Sequence, residues 1–248
     1  MPTARSCSAS RPDADVSSAG STRPAEATQA RRWTTGAALV LALAGPPALV
    51  VGSRRLVGDS PPLAIQMVLQ LVFCAMAAAV VAVVVRGERL PLSSIGVRAV
   101  TPFTAASGLL VAAATLFALP LVTRPLGAAL RVTGVEALTA DLAALPAWFR
   151  VFIGVTSGGV EELLYRGYAI ERLAALCRRR WLGAAAATVA FALAHVPYWG
   201  VRFALAADLP FGIVMTIFYV WRRDLAANAI AHGTALVVSL LSLPGAGA

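Results

Sequence analysis

Apolar residues fall into long runs along this chain, and shorter polar segments separate one run from the next. Runs of about 20 apolar residues with few charges are typical of helices that cross a lipid bilayer. We predict seven such spans, at approximately Trp33–Gly52, Leu63–Val85, Phe103–Val122, Ala147–Tyr165, Leu182–Val196, Phe203–Val220 and Leu225–Leu243. In the first of them, Pro46 and Pro47 are expected to kink or shorten the helix.

The segments outside these runs are of two kinds. Residues 1–32 are rich in Ser, Ala, Thr, Pro and Arg and can bury little surface, which predicts a disordered cytoplasmic tail. Residues 86–101 and 124–146 are too polar to cross a membrane and are predicted to form loops or interfacial helices. The chain between residues 33 and 243 is predicted to be a single integral-membrane domain.

The composition supports a membrane protein. Hydrophobic residues make up 58% of the chain, charged residues make up 13%, and the mean hydropathy is +0.76. A soluble domain carries about 25% charged residues. We therefore predict an all-α, multi-pass transmembrane helix bundle of about seven helices, within a range of six to eight.

The basic residues are all arginine and give a net charge of +9. They flank the apolar runs instead of forming one basic face, which favours a lipid bilayer as the partner and argues against nucleic acid. If the N-terminus is cytoplasmic, fifteen of the 21 arginines lie on the cytoplasmic side. This bias predicts a cell (plasma) membrane protein with its N-terminus inside and its C-terminus outside.

Five ionisable residues within or directly beside the predicted spans are candidates for chemistry, because charge in hydrocarbon is costly. They are Glu161, Glu162, Arg166 and both histidines of the chain, His195 and His232. On a helix, adjacent glutamates point about 100° apart, and the spacing of Glu162 and Arg166 predicts an i,i+4 ion pair that supports the fold. Glu161 then has no local cation, and an unpaired carboxylate in a dry cavity is suited to act as a general base.

Each histidine has a neighbour one turn away on its helix. Phe191 precedes His195, and Asn228 precedes His232. Counted from the flanking arginines, Glu161 and the two histidines lie ~14–21 Å into a ~30 Å core, so they are expected to meet at similar depth.

One carboxylate and two imidazoles support two related routes to amide hydrolysis. Glu161, His195 and His232 have the right chemistry to bind Zn²⁺ or another divalent metal, with an open position for water. Without a metal, Glu161 activates water directly and the histidines stabilise the oxyanion. The linear HExxH zinc motif is absent, so the sequence leaves both routes open.

The motifs EExxxR (Glu161, Glu162, Arg166), FxxxH (Phe191, His195) and a last-helix histidine (His232) occur in this order over residues 150–240. This order resembles the CPBP family, which comprises the type II CAAX prenyl endopeptidases and the bacteriocin-processing or immunity (Abi) proteins; the segment SSIGVR at 93–98 is also similar. The resemblance implies an intramembrane endopeptidase, often labelled a metalloprotease, that acts on a membrane-associated or lipidated peptide or protein. It also implies that Glu161 activates water and that His195 and His232 complete the site.

The chain departs from the family pattern in one place. The family usually has Asn or Asp four residues after the last histidine, and this chain has Leu236 there. Asn228 shares a helix face with His232 and is a candidate replacement. The departure favours one alternative, a non-catalytic immunity or scaffold protein that retains the fold. A proton-coupled transporter is a second alternative, but the sequence has no evident inverted repeat. For the peptidase, we expect a substrate cavity that opens toward the cytoplasm.

Overall fold

The structure is a computed structural model that describes residues 24–243, and it contains helices and no strands over that range. The α-helices are α1 (Pro24–Val57), α2 (Leu63–Ala82), α3 (Pro102–Phe117), α4 (Pro120–Ala129), α5 (Glu136–Ala144), α6 (Ala147–Glu161), α7 (Glu171–Cys177), α8 (Arg180–Trp199), α9 (Val201–Phe203), α10 (Leu209–Arg222) and α11 (Leu225–Leu241). The segments Val83–Gly87, Glu162–Ile170 and Ala204–Asp208 are π-helical and continue the helices before them, and Leu92–Ile95 is a 3-10 turn. The predicted all-α helix bundle is confirmed.

Every predicted span coincides with a helix, but not every helix is long enough to cross a membrane alone. Five helical stretches are long and apolar enough within the described range: Arg31–Val57, Leu63–Gly87, Pro102–Ala129, Arg180–Trp199 and Val201–Arg222. The stretch Ala147–Cys177 qualifies only together with Glu136–Ala144, from which it is bent by 114°. The last helix, Leu225–Leu241, has 17 residues and falls short. The structure therefore supports five or six spans by length and composition, against the seven predicted.

Helix α1 corrects two expectations about the N-terminal region. It begins at Pro24, so residues 24–32 are helical instead of disordered, consistent with their Ala, Glu, Gln and Arg content. The rest of the predicted tail, residues 1–23, lies outside the described residues. The helix also continues past Pro46 and Pro47, which therefore do not shorten it. Proline is tolerated in membrane helices where other groups satisfy the freed backbone carbonyls.

Interhelical contacts define two ends of the bundle. At the arginine-rich end, ion pairs and hydrogen bonds join three segments, residues 88–98, 171–180 and 222–225. The ion pairs include Arg172–Glu88 at 2.6 Å and Arg223–Glu171 at 2.8 Å. The backbone N–H of Leu225 donates to the carbonyl of Gly96 at 2.8 Å. At the opposite end, Arg54 donates to the carbonyl of Pro197, Ser60 donates to Asp141, and Arg150 donates to the carbonyl of Leu240. The helices alternate in direction between these two ends.

A buried carboxylate anchors the connection after α2 at the arginine-rich end. Glu88 is 2% exposed and accepts hydrogen bonds from Arg172, from the Tyr168 hydroxyl at 2.9 Å and from the Thr35 hydroxyl at 2.8 Å. Burial alone would raise the pKa of Glu88, but these bonds and the charge of Arg172 together lower it. Glu88 is therefore ionised at neutral pH and fixes the polar segment 86–101 onto the π-helical segment Glu162–Ile170.

Helices α6 and α11 approach each other more closely than large side chains would allow. A Cβ placed on Gly158 would lie 2.5 Å from the Cα of Gly233, and a Cβ on Gly154 would lie 2.5 Å from a side-chain carbon of Val237. Small residues at such a contact let two backbones pack directly, which is a common device in membrane bundles. The contact matters because α6 ends in Glu161 and α11 carries His232.

We expect Gly158→Ala to destabilise the protein by about 1–3 kcal/mol, because its methyl group must displace the α11 backbone. The neighbouring Gly159→Ala is the matched control, since a Cβ there would meet nothing within 4 Å. Thermal unfolding of both variants in detergent micelles, followed by circular dichroism, measures the difference. Equal unfolding temperatures for the two variants would contradict this account of the α6–α11 contact.

Candidate active site

The change from α-helix to π-helix occurs between the two adjacent glutamates. Glu161 is the last residue of α6, and Glu162 is the first residue of the π-helical segment Glu162–Ile170. π-Helical turns inside helices are often found at functional sites. The two side chains lie in different environments: that of Glu162 is fully buried, and that of Glu161 is 13% exposed and lines a cavity.

Glu162 joins three side chains in the centre of the bundle. Its Oε1 lies 3.0 Å from Nη1 of Arg166, which is the predicted i,i+4 ion pair, and 2.9 Å from Nδ1 of His232. Its Oε2 accepts a hydrogen bond of 3.0 Å from the Asn228 side chain. Glu162 and Arg166 are 0% and 1% exposed. The pair therefore also orients a site histidine, which the sequence did not predict.

The partners of the two Nδ1 atoms fix the tautomers of the histidines. Nδ1 of His195 lies 2.8 Å from the carbonyl of Phe191, which can only accept, so this nitrogen carries the hydrogen. Nδ1 of His232 likewise donates to the carboxylate of Glu162. Each ring therefore directs its Nε2 toward Glu161.

Glu161 lies between the two Nε2 atoms. Its Oε2 is 3.7 Å from Nε2 of His195 and 3.8 Å from Nε2 of His232. Both distances are too long for a direct hydrogen bond, and this oxygen is buried without a hydrogen-bond partner among the described residues. The structure thus brings together the three residues that the sequence placed at similar depth.

Aromatic contacts hold these groups in place around Phe191. Its ring lies 4.6 Å from the ring of His195, 5.4 Å from Tyr165 and 6.4 Å from His232, measured between centroids. The guanidinium of Arg166 stacks over the same ring at 4.0 Å. Phe191 therefore packs between the Arg166 guanidinium and the His195 ring, which gives the FxxxH motif a physical reason.

Comparison with known proteins finds one family that is similar to part of the chain. Residues 143–238 match the family model described as Type II CAAX prenyl endopeptidase Rce1-like. These residues, called the Rce1-like region below, are similar to that family. The match confirms the family resemblance that the motifs predicted, and it runs from α6 through most of α11, which includes Glu161, His195 and His232. No curated protein and no solved structure matches the chain.

The Rce1-like region contributes to a cavity of about 490 Å³. Glu161, Tyr165, His195 and Leu236 form part of its inner wall. Further lining residues come from the C-terminal half of α1, the N-terminal half of α2, α5 and the loop at residues 58–61. All of these lie toward the end of the bundle that is opposite to the arginine-rich end.

The position of this cavity shows that two of the sequence predictions are incompatible. The positive-inside rule places the arginine-rich end in the cytoplasm, so the cavity then opens toward the other side of the membrane. The peptidase interpretation of the sequence predicts a cavity that opens toward the cytoplasm. With a cytoplasmic N-terminus that expectation does not hold, because the cavity that Glu161 lines extends to the loop at residues 58–61, away from the arginine-rich end.

Asn228 does not replace the side chain that is missing after His232. It is 0% exposed, and its amide nitrogen donates to Glu162 and, at 2.8 Å, to the carbonyl of Met215. It therefore supports Glu162 and has no place in the cavity wall. Leu236 does lie in that wall, one turn after His232, but an aliphatic side chain donates no hydrogen bond.

The structure adds two residues of the Rce1-like region that the sequence did not single out. Asp208 ends the π-helical segment Ala204–Asp208, and its carboxylate is close enough to Glu161, His195 and His232 to interact with their charges. Its Oδ2 is buried without a partner among residues 24–243. The hydroxyl of Tyr165 is also buried without a hydrogen-bond partner among these residues. The sequence offered one signal for Asp208, which is an acidic residue within an apolar span. It did not show that Asp208 lies near Glu161, because the two residues are far apart in the sequence.

A metal ion does not fit the site as the structure arranges it. In residues 24–243, no group of three or more His, Cys, Asp or Glu side chains is arranged to hold one. Tetrahedral zinc with bonds of about 2.0–2.1 Å needs ligand atoms about 3.4 Å apart. The distances from Glu161 to the two histidines are longer, at 3.7 and 3.8 Å.

Proposed function

We propose that the protein is an intramembrane peptidase in which Glu161 activates water to attack a peptide bond. The observation that carries this proposal is the position of Glu161 Oε2, which is unpaired among the described residues, lines the cavity and lies within 4 Å of two imidazole nitrogens. The Rce1-like match to residues 143–238 supports the peptidase class.

The proposed reaction uses side chains of the chain alone. Glu161 takes a proton from water as the water oxygen bonds to the carbonyl carbon, and the carbonyl oxygen becomes an oxyanion. His195 and His232 flank the water and orient it, since their Nδ1 atoms are already bonded to Phe191 and Glu162. When the C–N bond breaks, Glu161 returns the proton to the leaving amine.

The substrate class follows from the setting of the cavity. The cavity lies within a bundle whose outer surface exposes large apolar side chains, among them Leu110, Phe117, Leu121, Ile217 and Trp221. A substrate that reaches it is therefore a membrane-associated or lipidated peptide or protein. We propose a cell-membrane location with the N-terminus in the cytoplasm and the C-terminus outside, as the arginine distribution predicts.

The competing candidate is a non-catalytic immunity or scaffold protein that retains the fold. Leu236 is the observation that favours it, because it leaves one position of the cavity wall without a polar group.

Cleavage assays in liposomes separate the two candidates. The wild-type protein is reconstituted with quenched fluorogenic peptides of two kinds, one carrying a farnesylated cysteine followed by a tripeptide and one carrying a transmembrane anchor. We expect cleavage of at least one kind. If the wild type cleaves neither, the scaffold is the better description. Cleavage of the anchored peptide alone would show that a prenyl group is not required.

We expect the reaction to be independent of metal. Because Glu161, His195 and His232 are spaced too widely for zinc, dialysis against a chelator should leave the cleavage rate within about twofold, and the purified protein should contain less than one metal per chain. Elemental analysis and rates before and after dialysis measure this. A rate that is lost on dialysis and restored by Zn²⁺ would show that the site closes around a metal.

A further inference from the structure

The hydroxyl of Tyr165 is a buried hydrogen-bond donor with no assigned role. The side chain is 1% exposed, and the hydroxyl oxygen has no hydrogen-bond partner among the described residues. Most buried polar side-chain atoms in proteins are paired, so an unpaired one needs an explanation. A hydroxyl that faces a site can be explained as a donor to a group of the bound substrate.

Tyr165 does face the site. It contributes to the wall of the same cavity as Glu161 and His195. It follows Glu161 by four residues, which places the two side chains on one face of the helix. The two groups are close enough to interact electrostatically, yet no hydrogen bond joins them. The hydroxyl therefore lies beside the proposed base and forms no hydrogen bond with it.

Packing fixes the direction of this hydroxyl. The Tyr165 ring meets the Phe191 ring edge to face, with centroids 5.4 Å apart and planes at 84°. Phe191 is itself held between Arg166 and His195. A donor on a ring that cannot turn away is preorganised, and preorganised donors are those that stabilise a developing charge most effectively.

Neither Asn228 nor the two histidines supply such a donor. Both amide contacts of Asn228 are made to Glu162 and to the backbone of Met215. In their neutral form, His195 and His232 direct acceptor nitrogens toward Glu161, because their Nδ1 atoms carry the hydrogens. A neutral O–H at Tyr165 is what the oxyanion of amide hydrolysis would require.

We propose that Tyr165 is a catalytic residue that donates a hydrogen bond to the oxyanion; this inference rests on the peptidase function proposed above. As water attacks, the carbonyl π electrons move to the oxygen, and Tyr165 Oη–H donates to that oxygen while keeping its proton. When the C–N bond breaks, the carbonyl re-forms and the hydrogen bond weakens. The stabilisation therefore acts on the transition state and not on substrate binding.

The test is Tyr165→Phe, which removes one oxygen and preserves the ring that packs on Phe191. The assay uses the quenched peptide that the wild type cleaves in liposomes. We expect kcat to fall by about 10²–10³-fold, the effect of removing one oxyanion donor, while KM changes by less than about threefold. A purely structural role would instead change the unfolding temperature, which we expect to be unaltered.

Tyr168→Phe is the matched control, since it makes the same change in the same π-helical segment. The Tyr168 hydroxyl donates to Glu88 at the arginine-rich end, away from the cavity. We expect this variant to keep the wild-type kcat. Full activity of Tyr165→Phe beside an inactive Glu161→Gln would overturn the oxyanion role and leave the peptidase intact. An equal loss in both tyrosine variants would also overturn it, and an inactive wild type would overturn both proposals.

Discussion

Glu161→Gln is expected to lower kcat by about 10²–10⁴-fold, the contribution typical of a general base. The amide has nearly the same shape as the carboxylate, so it fits between His195 and His232 but cannot take a proton from water. The Oε2 atom makes no hydrogen bond among the described residues, so its replacement should leave the packing unchanged. Initial rates of peptide cleavage in liposomes, measured over a range of substrate concentrations, give kcat and KM separately.

Glu136→Gln is the control for this prediction. Glu136 is exposed at the start of α5, does not line the cavity, and accepts a hydrogen bond from the Gly134 backbone. We expect this variant to cleave at the wild-type rate. Wild-type cleavage by Glu161→Gln would show that another group activates the water, and Asp208 would then be the first residue to replace.

Glu162→Ala is expected to have the largest effect on stability, about 3–5 kcal/mol, because it leaves Arg166 charged and 1% exposed without its counter-ion. The same change releases Nδ1 of His232 and the amide of Asn228, so activity should be lost as well. Thermal unfolding in detergent micelles measures the first effect, and the peptide assay measures the second.

The double variant Glu162→Leu with Arg166→Leu separates the two roles of this ion pair. Replacing both members of a buried pair with apolar side chains is often neutral, so much of the stability should return. Cleavage should remain lost, because His232 still lacks the acceptor that orients its ring. A double variant that regained full activity would show that Glu162 is structural only.

The sequence was sufficient to predict local features. Apolar runs determine which segments become helices, because burial in lipid or in the bundle requires the backbone to satisfy its own hydrogen bonds. The i,i+4 spacing of Glu162 and Arg166 determines their ion pair, since both residues lie on one helix. The scarcity of histidine made His195 and His232 candidates, because imidazole is costly in apolar segments, and the structure places both within 4 Å of Glu161.

The features that the sequence did not predict depend on how distant helices pack. Only the close contact of α6 with α11 places Nδ1 of His232 against Glu162 and directs the amide of Asn228 away from the cavity. The position of Tyr165 also depends on packing, because only the folded bundle places its hydroxyl in the cavity wall with Glu161 and without a partner among residues 24–243.

The end of the bundle toward which the cavity lies also depends on how distant helices pack. Periodicity gives the position of a residue along its helix and around it, but not which neighbour lies opposite. The sequence alone thus determined the helices, the Glu162–Arg166 pair and the choice of His195 and His232 as candidate residues. The tertiary structure determined which oxygen of the site is unpaired and what it faces, because those depend on contacts between residues more than 30 positions apart, such as Glu161 with His195 and His232.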